Sequence, residues 1–161
     1  MKQFCCTLLF FLATLTSYAQ NFADFFQDKT LRVDYIFTGD ANRQAIYLDE
    51  LSQLPSWAGR QHHLSELPLA GNGQIIVKDV ATGQCIYKTS FSSLFQEWLS
   101  TDEARTTAKG FENTFLLPFP KKTVEVEITL YSPRKDVMAN FKHIVSPEDI
   151  LIHKRGTSHV T

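Results

Sequence analysis

Paired cysteine is the first thing the chain lacks. Of its three cysteines, Cys5 and Cys6 lie in an N-terminal apolar run, which leaves Cys85 alone in the rest. A single thiol excludes an internal disulfide framework, so an ordinary hydrophobic core has to hold the fold. Charge of one sign is missing too: 16 Lys and Arg oppose 17 Asp and Glu, for a net charge of -1. A nucleic-acid protein needs a concentrated basic face, and the densest basic spot here, Lys121-Lys122, is a two-residue patch in a Pro-flanked turn. There is one long hydrophobic run, Phe4 to Leu15, and it is shorter than the roughly 20 residues a membrane-spanning helix requires. Internal repeats, coiled-coil heptads and low-complexity blocks are absent.

What is present is a rich supply of core-forming side chains. The 161 residues are 43% hydrophobic and 12% aromatic, with 13 Phe, a composition that argues against disorder and is enough for one domain. The N-terminus follows the three-part plan of a secretory signal peptide. Met1-Lys2 is positive, the apolar run follows, and Thr16-Ser17-Tyr18-Ala19 puts small residues where a peptidase would cut after Ala19. Residues 1–19 are therefore expected to be removed, and the protein to be exported to the periplasm, the cell surface or the medium. No membrane span is expected after cleavage. Residues 20–155 then form the domain, and 156–161 a short tail.

Along that domain the dominant period is two, the signature of half-buried strands. Leu31, Val33, Tyr35 and Phe37 share one face of a strand, and Gln44 to Leu48 returns as its hairpin partner after the turn residues Thr38 to Asn42. Asn21 to Phe26 reads equally as a helical turn or an edge strand. From Ser52 to Gly73 periodicity dissolves, which predicts a long ordered loop whose Trp57 plugs one end of the core and which is the favoured place for a binding surface. Gln74–Val80 and Gln84–Thr89 form the clearest hairpin, turned at Ala81-Thr82-Gly83 with Gly83 placed for positive φ. Phe91, Leu94, Phe95, Trp98 and Leu99 fall at helical spacing, and Ser93 with Gln96 suits a capping box, which predicts one short amphipathic helix buried on its aromatic side. Phe111–Leu117 and Thr123–Tyr131 are strands. In the second, Val124, Val126, Ile128 and Leu130 alternate with Glu125, Glu127 and Thr129, which implies one solvated sheet face. Val137–Val145 favours strand, and Ile150-Leu151-Ile152 reads as a last short one. The fold class is mainly β: an antiparallel β-sandwich of about seven strands with one short amphipathic helix.

Chemistry is sparse. His62-His63-Leu64-Ser65-Glu66 is the densest set of potential metal ligands, yet a helical zinc site needs His at i and i+4, and these two are adjacent. His143, His153 and His159 are dispersed. No Gly-x-Ser-x-Gly elbow occurs, and Gly71-Asn72-Gly73 lacks the Lys and helix of a phosphate loop. Cys85, in a strand-like run, reads as a small apolar residue.

The segment Ile86 to Ala104, centred on Phe91-Ser92-Ser93-Leu94-Phe95-Gln96-Glu97-Trp98, resembles the N-terminal domain of bacterial IgA-peptidase-like zinc metallopeptidases, peptidase family M sixty-four, common in Bacteroidetes. Leu31-Arg32-Val33-Asp34-Tyr35, Trp57-Ala58-Gly59-Arg60, Gly71-Asn72-Gly73, Pro118-Phe119-Pro120-Lys121 and Ser146-Pro147-Glu148-Asp149-Ile150 carry the same resemblance, which runs from about Phe22 to Ile152. The resemblance implies a β-sandwich that precedes a separate zinc peptidase domain bearing His-Glu-x-x-His. That motif does not occur in this sequence, and the chain stops at Thr161, where such a domain would begin. No catalytic or metal residue therefore carries over and no cofactor is implied. Tyr35, Trp57, Phe91, Leu94, Phe95, Glu97 and Trp98 are expected to be structural, with Phe91, Phe95 and Trp98 in the core and Glu97 bonding a loop backbone. The function this implies is a non-catalytic accessory domain that binds a protein or glycan partner, or supports a peptidase domain encoded nearby. Two alternatives stand beside it: a stand-alone binding module, and a hydrolase whose site is gathered around His62, His63 and Glu66.

Overall fold

A computed structural model describes residues 20–156; the expected signal peptide, and the tail beyond residue 156, lie outside them. The chain opens with one helical turn, α1 (Phe22–Phe25), capped by the Asn21 side chain, which accepts from Ala23 N. Eight strands follow: β1 (Phe26–Gly39), β2 (Gln44–Leu54), β3 (Gly73–Asp79), β4 (Cys85–Phe91), β5 (Lys109–Pro120), β6 (Val124–Tyr131), β7 (Val137–Val145) and the two-residue β8 (His153–Lys154). Between β4 and β5 lie α2 (Leu94–Trp98) and a 3-10 turn at Glu103–Arg105. The strands form two four-stranded sheets, ordered β5-β1-β2-β8 and β4-β3-β6-β7, antiparallel except where β8 joins β2. The fold is a β-sandwich.

Alternation explains why the sheets stack. The inward residues of β1 (Leu31, Val33, Tyr35, Phe37) and of β6 (Val124, Val126, Ile128, Leu130) are each at most 1% exposed. They face each other across the core with Ile75, Ile86, Leu117 and Phe119. Burial of each such side chain contributes about 1.5–3 kcal/mol, which offsets the ordering of long strands. On the outer face of β6, Glu127 pairs with Lys78 at 2.9 Å and Lys142 lies 3.6 Å from Glu125, a solvated ladder of opposite charges.

Three sequence expectations are corrected. β2 runs to Leu54, past the point where its pattern dissolves, because the register shifts between the Asp34↔Glu50 and Tyr35↔Leu48 pairs. Asp49 is the extra residue of that bulge, and beyond it the buried parity moves from Ile46 to Leu51. Phe91 ends β4 instead of starting the helix, since the ladder pairs it with Gly73, and Leu94 points outward, 71% exposed. Ile150-Leu151-Ile152 forms a turn, not a strand: Asp149 Oδ1 accepts from Leu151 N at 2.9 Å, and strand pairing begins only at His153. Arg155 then pins this segment to β2, donating to Glu50 at 2.7 Å and to Ser52 at 3.1 Å. The Arg155 guanidinium, with help from the Ser52 hydroxyl, holds the Glu50 carboxyl down to about 2.

Candidate functional site

The loop between β2 and β3 is ordered by one tryptophan and one arginine. Trp57 is 9% exposed, donates its ring N–H to the Arg60 carbonyl at 3.1 Å, and meets Tyr87 edge-on at 6.1 Å. Gly59 is required beside it, because a Cβ there would sit 2.2 Å from the indole. The Arg60 guanidinium binds the carbonyls of His63, Leu64 and Lys88 and lies 5.0 Å over the Tyr87 ring. Lys88 N in turn donates to Leu64 O at 2.8 Å. Arg60 and Leu64 of this loop therefore take up both backbone groups of Lys88 on the edge strand β4, which would otherwise be open to another strand.

His62, His63 and Glu66 sit on the outside of that loop. His63 Nδ1 and Glu66 Oε2 are 2.9 Å apart with side chains 78% and 71% exposed, and His62 is exposed as well. Among the described residues no three His, Cys, Asp or Glu side chains gather closely enough to hold a metal ion. Cys85 is half-buried, with its Sγ 3.7 Å from Tyr87 O, and burial pushes its thiol up, away from a reactive thiolate.

At one end of the sandwich the motif residues gather. Ser93 caps α2 by accepting from Gln96 N at 3.4 Å, but Gln96 does not return the bond. Its amide donates to Tyr131 O at 2.8 Å and ties the helix to the end of β6, while its Oε1 is buried without a partner among the described residues. Asn72 accepts from Ser93 N and donates its own backbone N–H to Phe91 O, and Gly73 lies so close to the Phe91 ring that a Cβ would meet it at 2.2 Å. Phe95 is fully buried against Phe37 and Phe111, and Trp98 stacks on Phe95 at 6.0 Å. Phe91 and Trp98 are only half-buried, so of the three aromatics expected in the core, Phe95 alone is sealed there. Glu97 is exposed, and its carboxylate binds nothing among the described residues. Glu103 makes the side-chain contact instead, accepting from Trp98 Nε1 at 2.9 Å and from Lys109 Nζ at 2.7 Å.

Beside this weld opens a cavity of about 490 Å3, lined by the β1–β2 turn (Ala41), by Asn72, by Gln96 and Leu99 of the helical segment, and by Tyr131 and Met138 around the β6–β7 turn. Concave, largely apolar sites framed by loops are where folds of this kind place recognition.

A second feature unread in the sequence is a polar contact between the sheets. The Tyr35 hydroxyl lies 2.7 Å from His143 Nε2, Phe141 and His143 flank the Tyr35 ring, and His143 Nδ1 is buried without a partner among the described residues. Burial raises the Tyr35 phenol far above its usual range and lowers the His143 imidazole to about 4, so both are neutral at pH 7. The phase of β7, with Phe141, His143 and Val145 on one side, is the signal that places His143 inside.

The class of protein the fold defines is a β-sandwich domain, with one strand edge partly covered, one end welded by the motif residues and a cavity beside the weld. The family described as Peptidase M64 N-terminus matches residues 21–142, and the chain belongs to that family. No curated protein matches it.

Proposed function

We propose that this chain is a non-catalytic accessory domain of an exported IgA-peptidase-like metallopeptidase system, which holds a protein or glycan partner or supports a peptidase domain. The observation that carries this reading is the family match over residues 21–142 together with what the motif residues do. Trp57, Phe95, Gly59 and Gly73 are spent on packing, and of the exposed loop residues His62, His63 and Glu66 only His63 and Glu66 meet, so that among the described residues no set of three ligands forms. The apolar run from Phe4 to Leu15, followed by small residues before a cut after Ala19, supports export.

The test is a protease assay on the purified chain with added zinc, paired with zinc titration by calorimetry. No chelator-sensitive turnover and no stoichiometric zinc uptake are expected. Robust turnover abolished by a chelator would overturn the reading, and uptake of one zinc that is lost in His63→Ala would transfer the function to the His62, His63 and Glu66 loop.

A further inference from the structure

The edges of the two sheets are not protected alike. On β4, Lys88 gives both backbone groups to the loop. Beside β2 lies β8, followed by Arg155, whose N–H donates to Gln53 O at 3.0 Å. β7 lies along β2 of the opposite sheet. β5 has β1 on one side, and among the described residues no backbone bonds its other side. Such an edge is a template for another strand.

The parity of β5 fixes which groups face that open side. Pro118 stands opposite Thr30 with no N–H to give, and Lys121, just past the strand, donates its N–H to Phe25 O at 2.8 Å. Odd-numbered residues therefore bond β1, while Gly110, Glu112, Thr114 and Leu116 turn their N–H and C=O groups outward. Each of these residues is exposed, Leu116 by 52%. Gly110 is unexplained within one molecule. Its φ is not positive, and a Cβ there would meet only Ile36 Cγ2, at an ordinary 3.6 Å. A strand glycine that its own packing does not require marks the close approach of another chain.

We propose that β5 pairs with β5 of a second copy, antiparallel about a two-fold axis at Asn113, so that the two β5-β1-β2-β8 sheets become one. In that register Gly110 lies opposite Leu116 and Glu112 opposite Thr114, and each pair exchanges two backbone hydrogen bonds. The Leu116 side chain fills the space over Gly110 of the other copy. Phe111 and Phe115, both half-buried, meet as an aromatic cross-strand pair. Glu112 of one copy arrives at Thr114 of the other, where the Arg32 guanidinium already reaches to 3.4 Å. Neighbouring registers lose these matches. Centring on Glu112 sets like charges directly opposite, and centring on Thr114 sets Gly110 against Pro118, which has no N–H. Because both copies use the same edge, the contact closes as a dimer. None of this depends on the accessory-domain reading.

Sedimentation equilibrium of the full chain, from about 1 μM to 1 mM, tests the assignment over the range of weak association. A monomer–dimer equilibrium is expected. Glu112→Pro removes an outward N–H, as Pro118 and Pro120 do, and should leave a monomer that still unfolds cooperatively. Gly110→Val, for which a single molecule has room, should keep the parent melting temperature and weaken the dimer at least about tenfold, because the valine takes the place of Leu116 from the other copy. Asn113→Cys, opposite itself in a pair without hydrogen bonds, should cross-link on oxidation where the parent with Cys85 does not. A chain that stays monomeric throughout overturns the proposal. So does a dimer that survives Gly110→Val unweakened, as one held by the apolar run Phe4 to Leu15 would, or one that fails to cross-link through Asn113→Cys.

Discussion

The two tryptophans of this domain occupy opposite physical situations. Trp57 closes the loop over β4: it is 9% exposed, its N–H is bonded to a backbone carbonyl, and a glycine is held against its ring. Trp98 closes the other region, above Phe95 and Phe111, but it is half-buried, and its N–H is bonded to the exposed side chain of Glu103. A backbone partner is fixed by the fold, whereas a surface side chain is not. The loop end is therefore sealed, whereas the outer layer of the motif end is held by a surface side chain and is the more adjustable of the two.

The contrast has its largest consequence in truncation. Trp57→Ala should cost about 3–5 kcal/mol in chemical denaturation, through the cavity it leaves and the loop it releases. Trp98→Ala should cost roughly 1–2 kcal/mol, within the ordinary range for partly exposed positions. Equal costs would break the distinction between a sealed and an adjustable end.

Between the two ends, the Tyr35–His143 pair gives a pH test. Burial lowers the folded-state pKa of His143 to about 4, below its unfolded value of about 6.5. The unfolded chain therefore takes up the proton first. Stability is complete above pH 6.5, declines as pH falls from there toward 4, and levels off below that, with a total loss on the order of 3 kcal/mol. His143→Gln keeps a polar group near the Tyr35 hydroxyl and cannot titrate. Its denaturation midpoint should stay flat between pH 7 and 5, where the parent already weakens and the carboxylates are still ionised. A parent midpoint that is flat over that interval would show that the imidazole is not sealed between the sheets.

Legibility in the sequence follows the same division. Strict alternation made β1 and β6 readable, because each buries one face against the opposite sheet and nothing local competes. The hairpin of β3 and β4 was readable from its turn, where Gly83 does adopt φ 70°. β2 was half-legible, since one extra residue at Asp49 inverts the parity that period-two reading depends on. The motif helix and its Ser93 cap were legible from the spacing of Phe91 to Leu99, but the spacing gave two wrong contacts. Helical spacing cannot tell that Phe91 is already claimed by a β ladder, nor that the Glu97 carboxylate makes no loop-backbone bond among the described residues while Glu103, five residues beyond Trp98, accepts from the Trp98 indole. The cavity was illegible for a simpler reason. Asn72, Gln96, Tyr131 and Lys135 come from the β2–β3 loop, α2 and the end of β6 with the turn after it, and meet only after both sheets have formed.

The smallest expected effect is also the sharpest check on the motif end. Glu103 is exposed, and the Lys109 ammonium, ahead of the Trp98 N–H, lowers its carboxyl below the usual range. Glu103→Gln keeps an acceptor for Trp98 and removes only the charge. Because exposed ion pairs are screened by solvent and contribute little, the melting temperature should move no more than repeated melts scatter, and any shift should shrink further in 1 M salt. The same substitution leaves Lys109, 5.6 Å over the Trp98 ring, without its carboxylate. If Trp98 is an adjustable lid, its fluorescence should change while stability does not. A loss of stability comparable to that of Trp57→Ala would mean that Trp98 is held as rigidly as its counterpart, and the adjustable layer would have to be sought in the β6–β7 turn instead.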